Sequence, residues 1–226
     1  MVRANEVYQK VLAFANKEQR GYLTPQEFNL FANQAQLEIL DQYFYDINQF
    51  SRLHGNDTEN SDMLDLLHEK LSVFRKVAQV TAPNGILNLP IDFYKLGSLY
   101  DSSGNEFEDT TYDRYQLLLK SPLTTPTTET PIHYQTNSGV QIFPVNTNAI
   151  TLSYIKKPSI VKWGYAVINE KALYDPTNTT DFELHSLEEV ELVYKILKYA
   201  GVAFRREDIT QVGQGLETAK IQQEKQ

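Results

Sequence analysis

The sequence predicts an α+β protein, with a helical bundle built from both chain ends and an antiparallel β-sandwich or barrel inserted between them. Two changes of pattern carry this prediction. Apolar residues recur with helical spacing up to residue 75, alternate with the period of a strand in the middle of the chain, and return to helical spacing after residue 185. We therefore assign residues 1–75 and 185–226 to the bundle, and residues 76–184 to the inserted domain.

The second predicted helix has two apolar sides. A first helix covers residues 5–18, and the second begins at Thr24, which can cap its first amides. Pro25 suits the first helical position, and Glu27 can close a capping box. At about 100° per residue the apolar side chains fall on two nearly opposite stripes. The first stripe is Phe28, Ala32, Ala35, Ile39, Tyr43 and Phe50, and the second is Leu30, Leu37, Leu40, Phe44 and Ile47.

Two interpretations fit a helix of this kind. It is either the central helix of a monomeric bundle, buried all round, or a helix that packs on its own bundle with one side and on a neighbouring subunit with the other. In the second case Asn29, Asn33 and Gln36, between the stripes, could hydrogen-bond across the subunit contact without the cost of burying a charge.

Further helices are predicted before, within and after the β-rich region. Ser61 can cap a third helix, and residues 111–120 form a short one. Ser186 caps a C-terminal helix and Glu189 completes its capping box. The predicted buried stripe of that helix is Val190, Val193, Ile196, Leu197 and Ala200. A sparser last helix runs through Ile209, Val212, Leu216 and Ala219.

The predicted strands carry almost no charge. Hairpins are expected at the turns 83–85 and 101–104, then an extended Thr/Pro-rich connection over 121–131, then three strands. From Ser121 to Ile155 the only formal charge is Glu129. Charges normally protect a free strand edge, so these strands are either covered on both sides in a sandwich or paired at an edge with a neighbouring subunit. Thr151 is our candidate for such an intersubunit edge.

Composition and motifs argue against an enzyme. The chain has 226 residues, a formal net charge of -8 and no cysteine, and its four histidines show no paired spacing. We therefore expect no catalytic residue, no metal and no cofactor. No segment has the length and apolarity of a signal peptide or a membrane span, so we expect a soluble protein that is cytoplasmic when synthesised.

Aromatic residues are frequent and leave a second function class open. The chain has 14 Tyr, 11 Phe and one Trp. On a β-rich domain such rings could form a platform for a carbohydrate or another receptor, or they could fill the core and a subunit interface.

Four stretches taken together resemble the head–tail connector proteins of tailed bacteriophages. More narrowly, the chain resembles the adaptor, or first ring, proteins of short-tailed phages, including crAss-like phages. The resemblance covers most of the chain, and the stretches that carry it are, in this order, YLTPQEFNLFANQAQLEIL, LPIDFYKLGSLYDSSG, QIFPVNTNAITLSYIKKP and DFELHSLEEVELVYKILKYAGV. In the third, Tyr154 and Pro158 end a strand that precedes Trp163.

The resemblance implies a structural ring of about twelve copies in the neck or tail of a virion, assembled from subunits made in the host cytoplasm. Its partners would be other copies of the chain, the portal protein and further tail or ring proteins, with no membrane involved. Genome DNA would pass through without sequence-specific binding, and an acidic or neutral wall would not hold its phosphates. The subunit interface would comprise Leu30, Asn33, Leu37, Leu40, Phe44, Ile47 and Thr151.

The resemblance also assigns the C-terminal segment to the portal. The residues that would dock there are Phe204, Arg205, Arg206, Ile209, Val212 and Leu216. Two glycines weaken this segment as an isolated helix, so we expect it to order against a partner. The alternative is that it folds back on its own bundle.

Overall fold

The chain is α+β and divides into two compact units, each described here by itself. The computed structural model describes residues 1–15, 23–52, 58–137, 139–145, 149–203, 214–219 and 222. Unit 1 comprises Met1–Val73 and Pro158–Gln226, and unit 2 comprises Phe74–Lys157.

The elements follow one another in helix, strand and helix blocks. The helices are α1 (Ala4–Ala15), α2 (Pro25–Arg52), α3 (Thr58–Ser72), α4 (Tyr112–Leu118) and α5 (Glu189–Ala203), and residues 214–219 are also helical. The strands are β1 (Arg75–Val80), β2 (Phe93–Tyr100), β3 (Glu108–Asp109), β4 (Ile132–Thr136), β5 (Gly139–Phe143), β6 (Ile150–Lys156), β7 (Tyr165–Ile168) and β8 (Lys171–Tyr174).

The capping box predicted for α2 is confirmed. The backbone N–H of Glu27 donates to Thr24 Oγ1 at 3.2 Å, and the N–H of Thr24 donates to Glu27 Oε2 at 2.9 Å. Two N–H groups that have no partner within the helix are thereby satisfied. From this start the first stripe of α2 enters the core. Its buried members are Phe28, Ala32, Ala35, Ile39 and Tyr43.

The other helices of unit 1 close around this stripe. α2 contacts α3 and α5, and α1 contacts α5. The ring of Tyr8 in α1 meets the ring of Phe28 edge-on, with 4.8 Å between centroids. A buried ion pair joins α3 to the turn before α5, with 2.7 Å between Lys70 Nζ and Glu188 Oε1.

The start of α5 differs from the prediction. A 3₁₀ turn, Ser186–Glu188, precedes it, and the capping residue is His185, whose Nδ1 accepts from the Leu187 N–H at 3.4 Å. Val190 is exposed, because it lies about 90° from the centre of the stripe that the helix buries. That stripe is Leu192, Val193, Ile196, Leu197 and Ala200.

Unit 2 contains two three-stranded sheets. In the first the order is β1-β6-β2 and all pairs are antiparallel. In the second the order is β3-β4-β5, with β3 parallel and β5 antiparallel to β4. One core holds side chains from both sheets. Its buried members are Val80, Ala82, Leu87, Leu99, Phe107, Val140, Ile142, Ile150, Leu152 and Tyr154.

The strand edge proposed at Thr151 and the outer side of β5 are both covered by the chain itself. Thr151 lies in the central strand β6 and pairs with Gln79 on one side and Tyr100 on the other, so it is not on an edge. The outer side of β5 is covered by residues 85–87, because the Ile142 N–H donates to the Gly85 carbonyl at 2.8 Å. The segment after the turn 83–85, predicted to pair with β1, lies along β5 instead.

A hairpin in unit 1 went unrecognised in the sequence. β7 and β8 pair through the turn residues Asn169 and Glu170, whose φ angles are 50° and 63°. Positive φ at both central positions is the geometry of a type I′ turn, for which Asn-Gly is the usual signal. The hairpin belongs to residues 158–184, which lie in unit 1, although the sequence assigned them to the inserted domain.

Among the described helices none has the length and apolarity to cross a bilayer.

The capping box gives a test of the local energetics. We expect Glu27→Ala to lower the free energy of unfolding by about 1 kcal/mol, because the Thr24 N–H loses its partner. Gln26→Ala is the control, since Gln26 is exposed in the same turn. Urea unfolding followed by circular dichroism measures both variants, and an equal loss in the two would contradict the role of the box.

Candidate functional site

Side-chain amides on α2 bind the backbone of an extended segment of the same chain. Asn33 Nδ2 donates to the Val161 carbonyl at 2.8 Å, and the Val161 N–H donates back to Asn33 Oδ1 at 2.8 Å. Asn29 does the same with Trp163, accepting at 2.7 Å and donating at 3.4 Å. Each amide thus satisfies one N–H and one carbonyl, as a neighbouring strand would.

Gln36 continues the same row. Its Nε2 donates to the Ser159 carbonyl at 3.0 Å, and its Oε1 accepts from the Glu183 N–H at 3.2 Å. The repeats match, because three to four helical residues rise by about 5–6 Å and two strand residues by about 6.6 Å. We call Asn29, Asn33 and Gln36 the amide ladder. In the interpretation with a neighbouring subunit these amides could bond across the subunit contact, whereas in the structure they bond within the chain.

The second stripe of α2 is mostly covered. Leu40 is fully buried, so it has no surface for a neighbouring subunit. Leu37, Phe44 and Ile47 are half-buried. Leu30 is 68% exposed and is the stripe member that reaches the surface. Of the interface predicted from sequence, the structure therefore leaves Leu30 open, encloses Leu40, and places Thr151 in the middle of a sheet of unit 2.

The ladder positions Trp163, which anchors the β7–β8 hairpin. Its indole N–H donates to Asn5 Oδ1 at 3.1 Å, and its ring lies 4.3 Å from that of Tyr8. On its other side the ring stacks on Tyr165 and Tyr174, at 5.9 Å in each case. These two residues pair directly at the base of the hairpin, so aromatic packing fixes the base to the helices.

The hairpin also presents apolar side chains to solvent on both of its faces. Val167 and Tyr174 belong to one face, and Ile168 and Leu173 to the other, as the pairing register requires. All four are 41–67% exposed. We call these four residues the hairpin surface. A two-stranded ribbon with apolar side chains exposed on both faces is a candidate contact surface.

A second exposed apolar group borders the contact of α1 with α5. Lys10 of α1 forms an ion pair with Glu189 at the start of α5. Phe14 lies one turn along α1 from Lys10, and Leu187 and Val190 flank Glu189. Phe14, Leu187 and Val190 are 50–57% exposed. We call these three residues the α1–α5 surface.

A buried charge cluster joins α2, α5 and the segment 214–219. Lys195 is 1% exposed, and its Nζ lies 2.6 Å from Glu217, 3.3 Å from Glu38 and 3.5 Å from Glu191. Lys198 Nζ lies 3.1 Å from the other Glu217 oxygen. Burial would depress the pKa of Lys195, but the carboxylates around it, with Glu217 first, raise that pKa.

Tyr199 completes the cluster by donating its hydroxyl to Glu38. Burial, and then the Glu38 carboxylate, raise the pKa of Tyr199, so the phenol keeps its proton. Burial alone would raise the pKa of Glu38. The hydrogen bond from Tyr199 and the charges of Lys195 and Lys198 outweigh it, and the pKa of Glu38 is lowered. Glu38 is therefore a carboxylate at neutral pH.

The segment predicted to dock on the portal is described only in part. Leu216 belongs to the described residues and is 37% exposed, beside the buried Glu217. The other predicted docking residues, Phe204, Arg205, Arg206, Ile209 and Val212, lie outside the described residues.

The aromatic residues of unit 2 mostly fill its interior. Tyr115, Tyr134 and Phe143 pack together, with the rings of Tyr115 and Tyr134 stacked at 5.2 Å. Tyr112 is exposed and meets Tyr134 edge-on.

The described residues contain no group of three His, Asp or Glu side chains arranged to hold a metal. No protein-family model matches the sequence, and a search of curated proteins finds no match either.

The amide ladder can be tested by removing one member. We expect Asn33→Leu to lower the free energy of unfolding by about 2–4 kcal/mol, because the N–H and carbonyl of buried Val161 both lose their partner. Asn48→Leu is the control, since Asn48 is exposed and donates to the Phe44 carbonyl one turn back in the same helix. Urea unfolding compares the two, and a loss below about 1 kcal/mol for Asn33→Leu would contradict the role of the ladder.

Proposed function

We propose that the chain is a non-enzymatic structural protein of a virion, which forms a ring that joins the portal to the tail and lets the genome pass. The observation that carries the proposal is the pair of exposed apolar surfaces on unit 1, the hairpin surface and the α1–α5 surface. This is the kind of surface that a subunit of an assembly requires.

A cyclic ring needs two different surfaces on each subunit, because its contacts run head to tail. The two surfaces lie toward opposite ends of α1. Trp163, on which the hairpin base stacks, contacts Asn5 and Tyr8, whereas Phe14 is near the C-terminal end of the helix. A rise of about 1.5 Å per residue separates Asn5 from Phe14 by roughly 13 Å along the axis. The hairpin surface of one copy would pack on the α1–α5 surface of the next.

The proposal includes the finer architecture expected from the sequence. The helices of unit 1 come from both chain ends and would form the bundle that carries the ring contacts. In unit 2 the segment just before β3 links the second sheet to the first, because the Phe107 N–H donates to the Leu99 carbonyl of β2 at 3.0 Å. This bond and the core that the two sheets share support a closed sandwich or barrel.

The charge of the chain supports passage of DNA rather than retention. The formal net charge is -8. A basic wall would hold the phosphates by many weak contacts, and an acidic one would not. The resemblance to adaptor proteins supports the remaining parts of the proposal: about twelve copies, the portal and other tail proteins as partners, and a place in the neck or tail of a virion.

The alternative, a module that binds carbohydrate or a receptor through aromatic rings, has less support. Such a platform needs rings open to solvent. In the described aromatic cluster of unit 2, Tyr115 and Tyr134 are buried and Tyr112 is the ring that is exposed.

The ring contact can be tested at the hairpin. We expect Ile168→Asp to give a folded monomer that no longer assembles, because its charge would be desolvated in the contact. Lys171→Gln is the control, since Lys171 pairs directly with Ile168 and is exposed without being apolar. Light scattering after size exclusion and negative-stain images, for the chain alone and with its portal protein, measure assembly. Rings of unchanged size from Ile168→Asp would contradict the proposal.

A further inference from the structure

His133 is a histidine enclosed in the second sheet of unit 2. It lies in the central strand β4, where its register partners are Asp109 of β3 and Ile142 of β5. His133 is 3% exposed, and its Nδ1 has no hydrogen-bond partner among the described residues. Its Nε2 lies 3.5 Å from Asp109 Oδ1, and the imidazole also hydrogen-bonds to the backbone of Phe107. The neutral imidazole suits this place, because it has a single N–H to donate.

Protonation would give the imidazole a second N–H and a positive charge, and the residues around it compensate neither. A buried donor without an acceptor destabilises a fold. The side chain of Asp109 is 80% exposed, so water screens its charge. Burial lowers the pKa of His133. Asp109, the Phe107 backbone bond and Glu106 act in the opposite direction, but they do not restore that pKa to its ordinary value of 6.5.

The other elements beside His133 bring no further charge to it. Ile142, its partner on β5, belongs to the core that the two sheets share. Tyr154 is the titratable member of that core, and its hydroxyl donates to Asp92. Glu108, next to Asp109 in β3, forms an ion pair with Arg114. The charge state of His133 is therefore set mainly by its burial and by the segment 106–109.

β3 is the most weakly paired strand of this sheet. It has two residues, Glu108 and Asp109, and runs parallel to β4. The Glu108 N–H donates to the Pro131 carbonyl and the Thr110 N–H to the His133 carbonyl, both at 2.9 Å. The Thr110 hydroxyl is buried without a partner among the described residues. β4 and β5, by contrast, pair over five residues. So short a pairing opens more readily than the rest of the sheet.

We propose that His133 is a pH-sensitive lock on the pairing of β3 with β4. The neutral imidazole keeps the pairing closed, and its protonation opens residues 108–110 while β4 and β5 stay together. Because the pKa of His133 is lowered by the closed structure, the open form takes up the proton first. The stability that the neutral ring supplies is complete above pH 6.5, falls as the pH drops below that value, and is lost below the lowered pKa. This lock concerns the single chain and does not rest on ring formation.

The test is hydrogen–deuterium exchange of the full-length chain at about pH 7.5 and about pH 5.5, on either side of the ordinary histidine pKa. Mass spectrometry follows peptides that cover residues 107–111 and β6, and each rate is divided by the intrinsic rate at the same pH. We expect protection of residues 107–111 to fall about three- to tenfold at the lower pH, because a proton bound only by the open form favours opening. Protection of β6 should change by less than about twofold.

Two variants and one titration make the test specific. His133→Gln removes the titrating group, so protection of residues 107–111 should be the same at both pH values. His68→Gln is the matched control, because His68 is exposed in α3 of unit 1, and it should keep the response of the unchanged chain. NMR of the unchanged chain measures His133 directly, and its Cε1–H signal should titrate with a midpoint below 6.5.

Each outcome either supports the lock or overturns it. Loss of protection confined to residues 107–111, present in the unchanged chain and absent from His133→Gln, supports it. The same loss in His133→Gln, or an NMR midpoint at or above 6.5, would overturn it. Equal loss in β6 would show that acid unfolds unit 2 as a whole and would overturn it as well. If His133→Gln does not fold, the NMR midpoint and the exchange pattern of the unchanged chain decide. A chain that forms no rings could still give the supporting result, so this test and that of the proposed function fail separately.

Discussion

The structure of unit 1 depends on one pairing, that of the amide ladder with the backbone of residues 159–163. A buried peptide group without a hydrogen bond costs on the order of 1–3 kcal/mol, so an extended segment against a helix needs polar partners on that helix. Asn29, Asn33 and Gln36 supply them at the spacing that a strand requires. The ladder holds the returning chain on α2, and Trp163 and the hairpin follow directly from that placement.

This pairing also explains the two apolar sides of α2. The first stripe enters the core of unit 1, and Leu40 of the second is buried beside the ladder. The first side of α2 is covered by its own chain, whereas the second side is only partly covered, because Leu37, Phe44 and Ile47 are half-buried and Leu30 is exposed. Other exposed apolar side chains of unit 1 lie on the hairpin and where α1 meets α5.

The sequence predicted those features that depend on neighbouring residues. The capping box of α2 and the strands β4, β5 and β6 were recognised because their signals are local. The ladder was not, because Asn33 bonds a residue 128 positions away and an amide pattern does not say which backbone it meets. The hairpin was missed because Asn169-Glu170 lacks the glycine that marks most type I′ turns. The exposure of Val190 was missed because the predicted stripe left out Leu192, whose burial shifts the centre of the stripe away from Val190.

The most direct test of the head-to-tail contact uses the absence of cysteine from the chain. Ile168→Cys and Phe14→Cys are combined in one protein and also made singly, and each protein is treated under assembly conditions with a short bis-maleimide. We predict a series of covalent oligomers from the double variant and monomers from each single variant, because each contact joins two different surfaces. Covalent dimers from a single variant, together with no series of oligomers from the double variant, would contradict a head-to-tail contact.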